Sequence, residues 1–207
     1  VVKNAKKKLN EKKLDLIIAN DVSDSSIGFD SDENEVYLIT KKIEKKIEKI
    51  SKKKLSRSII EFIAKCFLSS GDTAIYSKHG FAIYPLAIKA SGAEAIKVEA
   101  KNWGHDLEAM ADAIQENTKV IFIASPNNPT GTALTLEEIE KFLTKIPDNI
   151  VVLIDQAYFE YVENEEFKVP FKLVEKFKNL IISRSFSKAH GLAAFRLGFS
   201  ISSEEIA

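Results

Sequence analysis

Apolar and polar residues follow two patterns along most of the chain. Short continuous apolar runs predict strands covered on both faces, and apolar residues that recur every three or four positions predict helices with one buried side. From Phe67 onward the two patterns alternate, which favours an α/β fold with a mainly parallel sheet. The strands are predicted at Asp72–Tyr76, Ala95–Glu99, Lys119–Ala124, Ile150–Ile154 and Leu180–Ser183, and the helices at Phe81–Ser91, Asp106–Gln115 and Leu136–Ile146.

The first 65 residues have a different pattern. A lysine-rich helical stretch at Lys6–Lys13 precedes two short strands, predicted at Leu14–Asp21 and Glu35–Thr40. In Lys41–Lys54, isoleucines at positions 43, 47 and 50 recur at helical spacing. We therefore predict an amphipathic helix there, with solvated lysines and Glu–Lys pairs around one apolar stripe.

Charge separates the same two parts of the chain. The 207 residues carry 30 basic and 30 acidic side chains, but residues 1–65 hold 16 basic and 11 acidic ones, a balance of +5. Residues 66–207 hold the remaining 14 and 19, a balance of −5. A basic excess can indicate nucleic-acid binding, but most of it lies in Lys41–Lys54, where a solvated helix face is favoured. We predict two domains, 1–65 and 66–207, and no nucleic-acid partner.

Composition excludes several classes of protein. With 45% hydrophobic residues and 13 phenylalanines, the chain can build a core and is not intrinsically disordered. No apolar run reaches the roughly 18 residues that span a bilayer, and the N-terminus lacks the order of a signal peptide. The single cysteine, Cys66, excludes an internal disulfide, and the three histidines lack metal-site spacing. We therefore predict a cytoplasmic protein with no membrane partner and no metal.

Polar loops follow three of the predicted strands: Ser125–Thr132, Asp155–Tyr158 and Arg184–Gly191. Parallel strands end at one edge of their sheet, where α/β proteins bind ligands. Each loop alone has an ordinary explanation as a turn, a helix cap or a surface lysine. Together they supply an amide, a carboxylate and a lysine flanked by hydroxyls. Those groups suit a phosphorylated pyridine aldehyde.

In this order, the loops resemble the large domain of the fold-type I pyridoxal-phosphate aminotransferases, class I and II, over about residues 60–207. The likeness rests on Asn128-Pro129-Thr130-Gly131, Asp155-Gln156-Ala157-Tyr158, and Ser185-Phe186-Ser187-Lys188 with Arg196 eight residues later. Within the family the chain is most similar to the histidinol-phosphate aminotransferases. The resemblance implies amino transfer between glutamate and imidazole-acetol phosphate, in histidine biosynthesis, by a homodimer acting on small molecules.

The resemblance also assigns roles around the cofactor ring. Lys188 is the catalytic lysine that bonds to the aldehyde of pyridoxal 5'-phosphate and then moves the substrate proton. Asp155 pairs with the ring nitrogen, and Asn128 and Tyr158 hydrogen-bond the ring oxygen. His79 occupies the place where relatives stack an aromatic ring on the cofactor. An ordinary, partly exposed histidine is an equal alternative for it.

Phosphate binding is assigned to Ser185, Ser187 and Arg196. Relatives add a glycine-rich stretch, but at Lys53–Ser58 only Ser56 matches it. Gln156 stands where relatives usually have glutamate, a change we expect to be mild. Because the resemblance reaches only an incomplete large domain, with the family's small domain expected beyond residue 207, we expect impaired turnover from this chain.

Residues 1–65 resemble the C-terminal end of phosphopantothenate-cysteine ligase, part of a bifunctional protein of coenzyme A synthesis. The matched run includes Lys8, Lys12, Leu14–Ser23 and Gly28-Phe29. In that family the two lysines contact the triphosphate of CTP. The parts that perform ligation would lie upstream, so we expect no ligase activity. Two alternatives to a working aminotransferase stay open. The first is a non-catalytic fragment that binds pyridoxal phosphate, and the second is a remnant of the CTP-dependent ligase.

Overall fold

The computed structural model describes residues 2–11, 16–20, 33–40, 44–51, 60, 63–193 and 198–206. The described residues form two separate sheets. The first is antiparallel, with the order β1-β2-β3, and follows a short helix. Its elements are α1 (Val2–Glu11), β1 (Leu16–Asn20), β2 (Glu33–Thr40) and β3 (Glu44–Ser51). Ala5 and Leu9, one helical turn apart, pack with Ile39 as a small core.

The prediction of a helix at Lys41–Lys54 is wrong, because residues 44–51 form strand β3. β3 pairs with β2 in a register that places Ile47 opposite Val36 and Ile50 opposite Asn34. Three residue steps on β3 therefore match two steps on β2, and a β-bulge takes up the difference. The isoleucine spacing that imitates a helical period fits a bulged strand. Pairing with β2, which no local pattern reveals, overrides the helical preference.

The second sheet has six strands in the order β5-β4-β6-β7-β8-β9, of which the first five are parallel. β9 runs antiparallel to β8 at one edge and was not predicted. The strands are β4 (Thr73–Ser77), β5 (Glu94–Val98), β6 (Thr118–Ala124), β7 (Val151–Asp155), β8 (Leu180–Ser185) and β9 (Gly198–Ile201). All five predicted parallel strands are present within one or two residues of their expected bounds.

Helices cover both faces of this sheet and bury an apolar cluster on each. They are α2 (residues 60 and 63–67), α3 (Ile83–Ala90), α4 (Leu107–Asp112), α5 (Leu136–Leu143) and α6 (Leu173–Lys176). In central β6, Ile121 and Ile123 face one cluster while Val120 and Phe122 face the other. Both faces are buried, which explains the unbroken apolar run in the sequence.

Side-chain caps set the start of two helices. Asp106 accepts a hydrogen bond from Ala109 N at 3.1 Å and begins α4. Thr135 and Glu138 form a reciprocal capping box at the start of α5, directly after the loop that follows β6. Among the helices that the structure describes, none is long and apolar enough to cross a membrane.

Candidate cofactor site

Four neighbouring strands of the six-stranded sheet end at one edge. His79 lies just beyond β4, Asn128 beyond β6, Asp155 at the end of β7, and Lys188 in the loop after β8. Because β4, β6, β7 and β8 are parallel and adjacent, residues far apart in the sequence meet here. The fold therefore places these four predicted site residues at a common edge.

Asp155 is held by three donors. Tyr84 Oη donates to its Oδ2 at 3.2 Å, Ala157 N donates to Oδ1 at 3.0 Å, and Ser183 Oγ lies 3.5 Å from Oδ1. The residue keeps some solvent exposure, yet enough protein surrounds the carboxylate that desolvation raises its pKa. The hydrogen bonds and the charge of Lys188 act in the opposite direction and lower the pKa. An added positive partner would relieve the remaining desolvation cost.

Tyr84 is a site residue that the sequence did not indicate. Its side chain is fully buried in α3 and stacks on Phe122, with 5.0 Å between ring centroids. Desolvation, together with the neighbouring Asp155 charge, raises the pKa of the phenol well above 10.0, so the hydroxyl stays a donor. The available signal was a tyrosine in an apolar helix, whose buried hydroxyl needs an acceptor.

Lys188 lies on an exposed turn after β8. Its Nζ is 5.0 Å from the ring centroid of Tyr158, and its charge reaches Asp155 strongly enough to lower the pKa of that carboxyl. In the same loop Ser187 N donates to Ser185 Oγ at 3.1 Å. The structure thus places Lys188 near the Tyr158 ring and within electrostatic reach of Asp155, with Ser185 and Ser187 in the same loop.

Asn127 organises the loop after β6, although the sequence pointed to its neighbour. Its Nδ2 donates to the His79 carbonyl at 3.0 Å and to Thr130 Oγ1 at 2.7 Å. The Oδ1 atom is buried and has no hydrogen-bond partner among the described residues. Asn128 itself is half-buried and, with Tyr158, lines a cleft of about 510 Å³. The loop therefore presents Asn128 while Asn127 anchors it to His79.

Arg184 and Gln156 tie the turn after β7 to the end of β8. The Arg184 guanidinium lies over the Phe159 ring, 3.4 Å from its centroid, and Arg184 Nε donates to Gln156 Oε1 at 3.1 Å. Gln156 is fully buried and also donates from Nε2 to the Val169 carbonyl. These contacts hold the segment that carries Tyr158 beside the strand that leads to Lys188.

Several predicted site residues are not placed by the structure. Arg196, Lys12 and the Lys53–Ser58 stretch lie outside the described residues. Lys8 belongs to α1, and only its backbone is described. The roles given to these and to the placed residues stay predictions.

The other two histidines, His105 and His190, have no predicted role in cofactor binding. His105, buried, contacts the Ala124 backbone through Nε2, 2.9 Å from its carbonyl oxygen, and desolvation lowers the pKa of its imidazole. His190 lies 3.4 Å from Glu160. The backbone contacts of His105 indicate a structural role.

Comparison with known proteins identifies the family of the larger part. Residues 56–207 match the family model for aminotransferase class I and II. The chain belongs to this family. Membership of this family implies small-molecule substrates, as the resemblance had predicted.

Several similar relatives among curated proteins are histidinol-phosphate aminotransferases. Histidinol-phosphate aminotransferase 2 of Hydrogenovibrio crunogenus is 49% identical over 151 residues, 73% of this chain and 40% of the relative. Histidinol-phosphate aminotransferase 1 of Mannheimia succiniciproducens is 53% identical over 152 residues, 73% of this chain and 42% of the relative. The chain spans about two fifths of the length of the curated relatives it matches.

Solved structures agree with the family and confirm the predicted fold class. Histidinol-phosphate aminotransferase from Sinorhizobium meliloti, crystallised in complex with pyridoxal-5'-phosphate, superposes with a TM-score of 0.68 at 26% identity. The match covers 72% of this chain and 40% of that one. The chain thus contains the mainly parallel sheet of a fold-type I aminotransferase.

Residues 1–67 match a different family model, the C-terminal domain of DNA/pantothenate metabolism flavoproteins. This match agrees with the coenzyme A pathway resemblance of the first segment. The two matched regions overlap between residues 56 and 67. The domain boundary at residue 65 stays a prediction.

Proposed function

We propose that this aminotransferase family member binds pyridoxal 5'-phosphate at the edge where β4, β6, β7 and β8 end. The observation that carries the proposal is the placement of Lys188 within electrostatic reach of Asp155, a desolvated carboxylate held by Tyr84. A carboxylate whose pKa is raised by burial gains most from a cationic partner, and a protonated pyridine nitrogen is such a partner. The residues present therefore fit the cofactor.

Each residue contributes a chemically suitable group. Lys188 Nζ would hold the cofactor at its aldehyde carbon, and the same amine, once displaced by the amino group of the substrate, would move the proton of the substrate Cα. The Asp155 carboxylate keeps the pyridine nitrogen protonated. Asn128 and Tyr158 form hydrogen bonds with the ring oxygen. When bound, pyridoxal phosphate supplies an electron-accepting ring that stabilises negative charge at Cα.

The phosphate and the ring face involve four further residues. The Ser185 and Ser187 hydroxyls and the Arg196 guanidinium bind the phosphate, since hydroxyl and bidentate guanidinium donors match its oxygens. The His79 imidazole stacks on the ring. In support, the Ser187 backbone N donates a hydrogen bond to Ser185 Oγ, and Asn127 Nδ2 donates one to the His79 carbonyl.

We infer the substrate class and assembly from the relatives. The function that the family match supports best is that of a histidinol-phosphate aminotransferase, with glutamate and imidazole-acetol phosphate as the amino donor and acceptor. We propose a homodimer as the working form. A cytoplasmic location suits the lone, exposed Cys66.

Cofactor binding is tested by the absorption spectrum of the purified chain after loading with pyridoxal phosphate and removal of the excess. We expect a retained visible band and, after borohydride reduction, a cofactor mass on the peptide containing Lys188. Lys188→Ala should lose both signals. Lys172→Ala, which removes an exposed lysine of the α6 region, is the matched control and should keep them. A folded wild-type chain without a retained band would overturn the proposal.

Turnover with glutamate separates a working aminotransferase from a non-catalytic fragment that binds the cofactor. Because the chain covers about two fifths of its relatives, we expect little turnover from the 207 residues alone. Robust transamination by them would contradict this expectation and exclude the fragment alternative.

The family match of residues 1–67 supports a second candidate, a nucleotide-binding remnant of the ligase. In it, Lys8 and Lys12 bind the CTP triphosphate. Calorimetric titration with CTP tests the idea. Binding that is lost in Lys8→Ala and Lys12→Ala, but kept in Lys3→Ala, would support it, and no binding by the wild-type chain would exclude it.

A further inference from the structure

A tight turn at residues 101–104 holds a tryptophan in an unfavourable backbone conformation. Lys101 and Gly104 pair through both backbone hydrogen bonds, at 2.9 and 3.2 Å. The two residues between them have left-handed φ angles, 50° at Asn102 and 65° at Trp103. Asparagine tolerates that region, whereas a bulky side chain there is energetically unfavourable. A glycine at position 103 would avoid the cost.

Core packing does not compensate for this cost, since Trp103 is 68% exposed. Its aromatic contact is with His79, whose ring centroid lies 5.1 Å away at an interplanar angle of 36°. Strained residues persist where the surroundings or the function require them. We attribute the strained backbone of the turn to the ring contact between Trp103 and His79.

His79 is restrained from two sides. Asn127 Nδ2 holds its backbone carbonyl at 3.0 Å, and the Trp103 indole lies against its ring. The turn that carries Trp103 also sits on the loop after β6: a Cβ at Gly104 would lie 3.3 Å from Thr132 Oγ1. The Thr132 carbonyl in turn accepts a hydrogen bond from Asn127 N at 2.8 Å. The turn, the loop and His79 therefore form one connected unit.

We propose that Trp103 is a positioning residue that fixes the His79 imidazole against the cofactor ring. This inference rests on the proposed function, in which His79 stacks on the pyridine. Trp103 orients His79 by ring contact and does not itself touch the cofactor. On this inference, the strained backbone at Trp103 is retained because the indole holds the His79 imidazole in one orientation.

Two substitutions separate positioning from a merely structural role. Trp103→Gly relieves the left-handed strain and removes the indole, so the cofactor-free chain should unfold at an unchanged or higher Tm. Its dissociation constant for pyridoxal phosphate should rise several-fold to tenfold. Trp103→Phe keeps a ring against His79 and should restore binding to near the wild-type value. Parallel loss of Tm and binding in Trp103→Gly, or unchanged binding, would overturn the inference.

A second measurement needs no cofactor. Trp103 is the only tryptophan in the sequence, so the protein's indole fluorescence reports on this site. His79→Ala should change the emission and raise the acrylamide quenching of the cofactor-free chain, and His190→Ala should leave both unchanged. Unchanged emission in His79→Ala would refute the ring contact. If the wild-type chain binds no cofactor, the proposed function fails and the positioning role with it, while this fluorescence result still decides whether the contact exists.

Discussion

At the scale of single residues, the chemistry of the candidate site centres on the carboxylate of Asp155. It is the acidic end of an apolar strand, and desolvation raises the pKa of its carboxyl. Tyr84, Ala157 and Lys188 oppose that shift without removing it. The cofactor-free protein therefore carries a partly uncompensated carboxylate, which a bound cation would stabilise.

Removal of the Tyr84 hydroxyl should weaken cofactor binding. Tyr84→Phe deletes the 3.2 Å hydrogen bond to Asp155 and leaves the carboxylate poorly held. Hydrogen bonds to charged groups contribute about 1.5–3 kcal/mol, so the dissociation constant for pyridoxal phosphate should rise at least tenfold. A spectrophotometric titration measures it, with Tyr76→Phe in β4 as the matched control. Equal affinity in the two variants would show that the hydroxyl does not support Asp155.

Asp155→Asn should stabilise the cofactor-free chain at neutral pH. Burial raises the pKa of Asp155 in the folded state above the ordinary 3.8. The favourable contribution of this group to folding stability is therefore fully present below about pH 3.8 and is lost as the pH rises through the folded-state pKa. Above that pKa the desolvated charge opposes folding, and asparagine removes it. Thermal unfolding over a pH series should show a higher Tm for the variant at pH 7 and a shrinking gap towards pH 4. A less stable variant at pH 7 would mean that the hydrogen bonds to Asp155 and the charge of Lys188 outweigh desolvation.

At the scale of elements, local signals determined what the sequence could predict. The strand β6 and the helix α5 were predicted because an unbroken apolar run and an acidic first turn leave few alternatives. The strand β3 was mispredicted because its isoleucine spacing depends on a bulge against β2, which is a non-local feature. Tyr84 and Asn127 were missed for the same reason, since their roles come from partners on other elements.

The capping box of α5 gives a prediction at this scale. Thr135→Ala removes the acceptor for Glu138 N and the partner of the Glu138 carboxylate. The loss should cost about 1 kcal/mol, a fall in Tm of roughly 2–4 °C for a chain of this size. Calorimetry measures it. Thr135→Ser keeps the hydroxyl and should stay near wild type, and an equal loss in both variants would argue against the cap.

At the scale of the whole molecule, the sheet brings predicted site residues from four strand ends to one edge. The order β4-β6-β7-β8 was not contained in any single motif, although the polar loops after β6, β7 and β8 indicated a shared edge. Family membership accounts for the arrangement of residues 56–207. The roles of residues outside the described ranges, above all Arg196, depend on that resemblance alone.

Cofactor binding should therefore stabilise the fold as a unit. At a concentration one hundred times the dissociation constant, a ligand that binds only the folded state adds about 2.7 kcal/mol. For a chain of this size the increase corresponds to a rise in Tm of roughly 5–11 °C. Differential scanning calorimetry with and without pyridoxal phosphate tests it. An unchanged Tm alongside a retained visible band would place the bound cofactor outside the folded site.

The parallel sheet also has a consequence for the order of events during folding. Thr73 in β4 hydrogen-bonds Thr118 in β6 across 45 residues of chain, and further crossovers must close before β7 and β8 join. Pairings this distant form slowly, and the edge that carries Lys188 is complete only when the last parallel strand has docked. We therefore expect pyridoxal phosphate to bind only after the parallel sheet has formed. It should slow the unfolding rate while leaving the refolding rate unchanged.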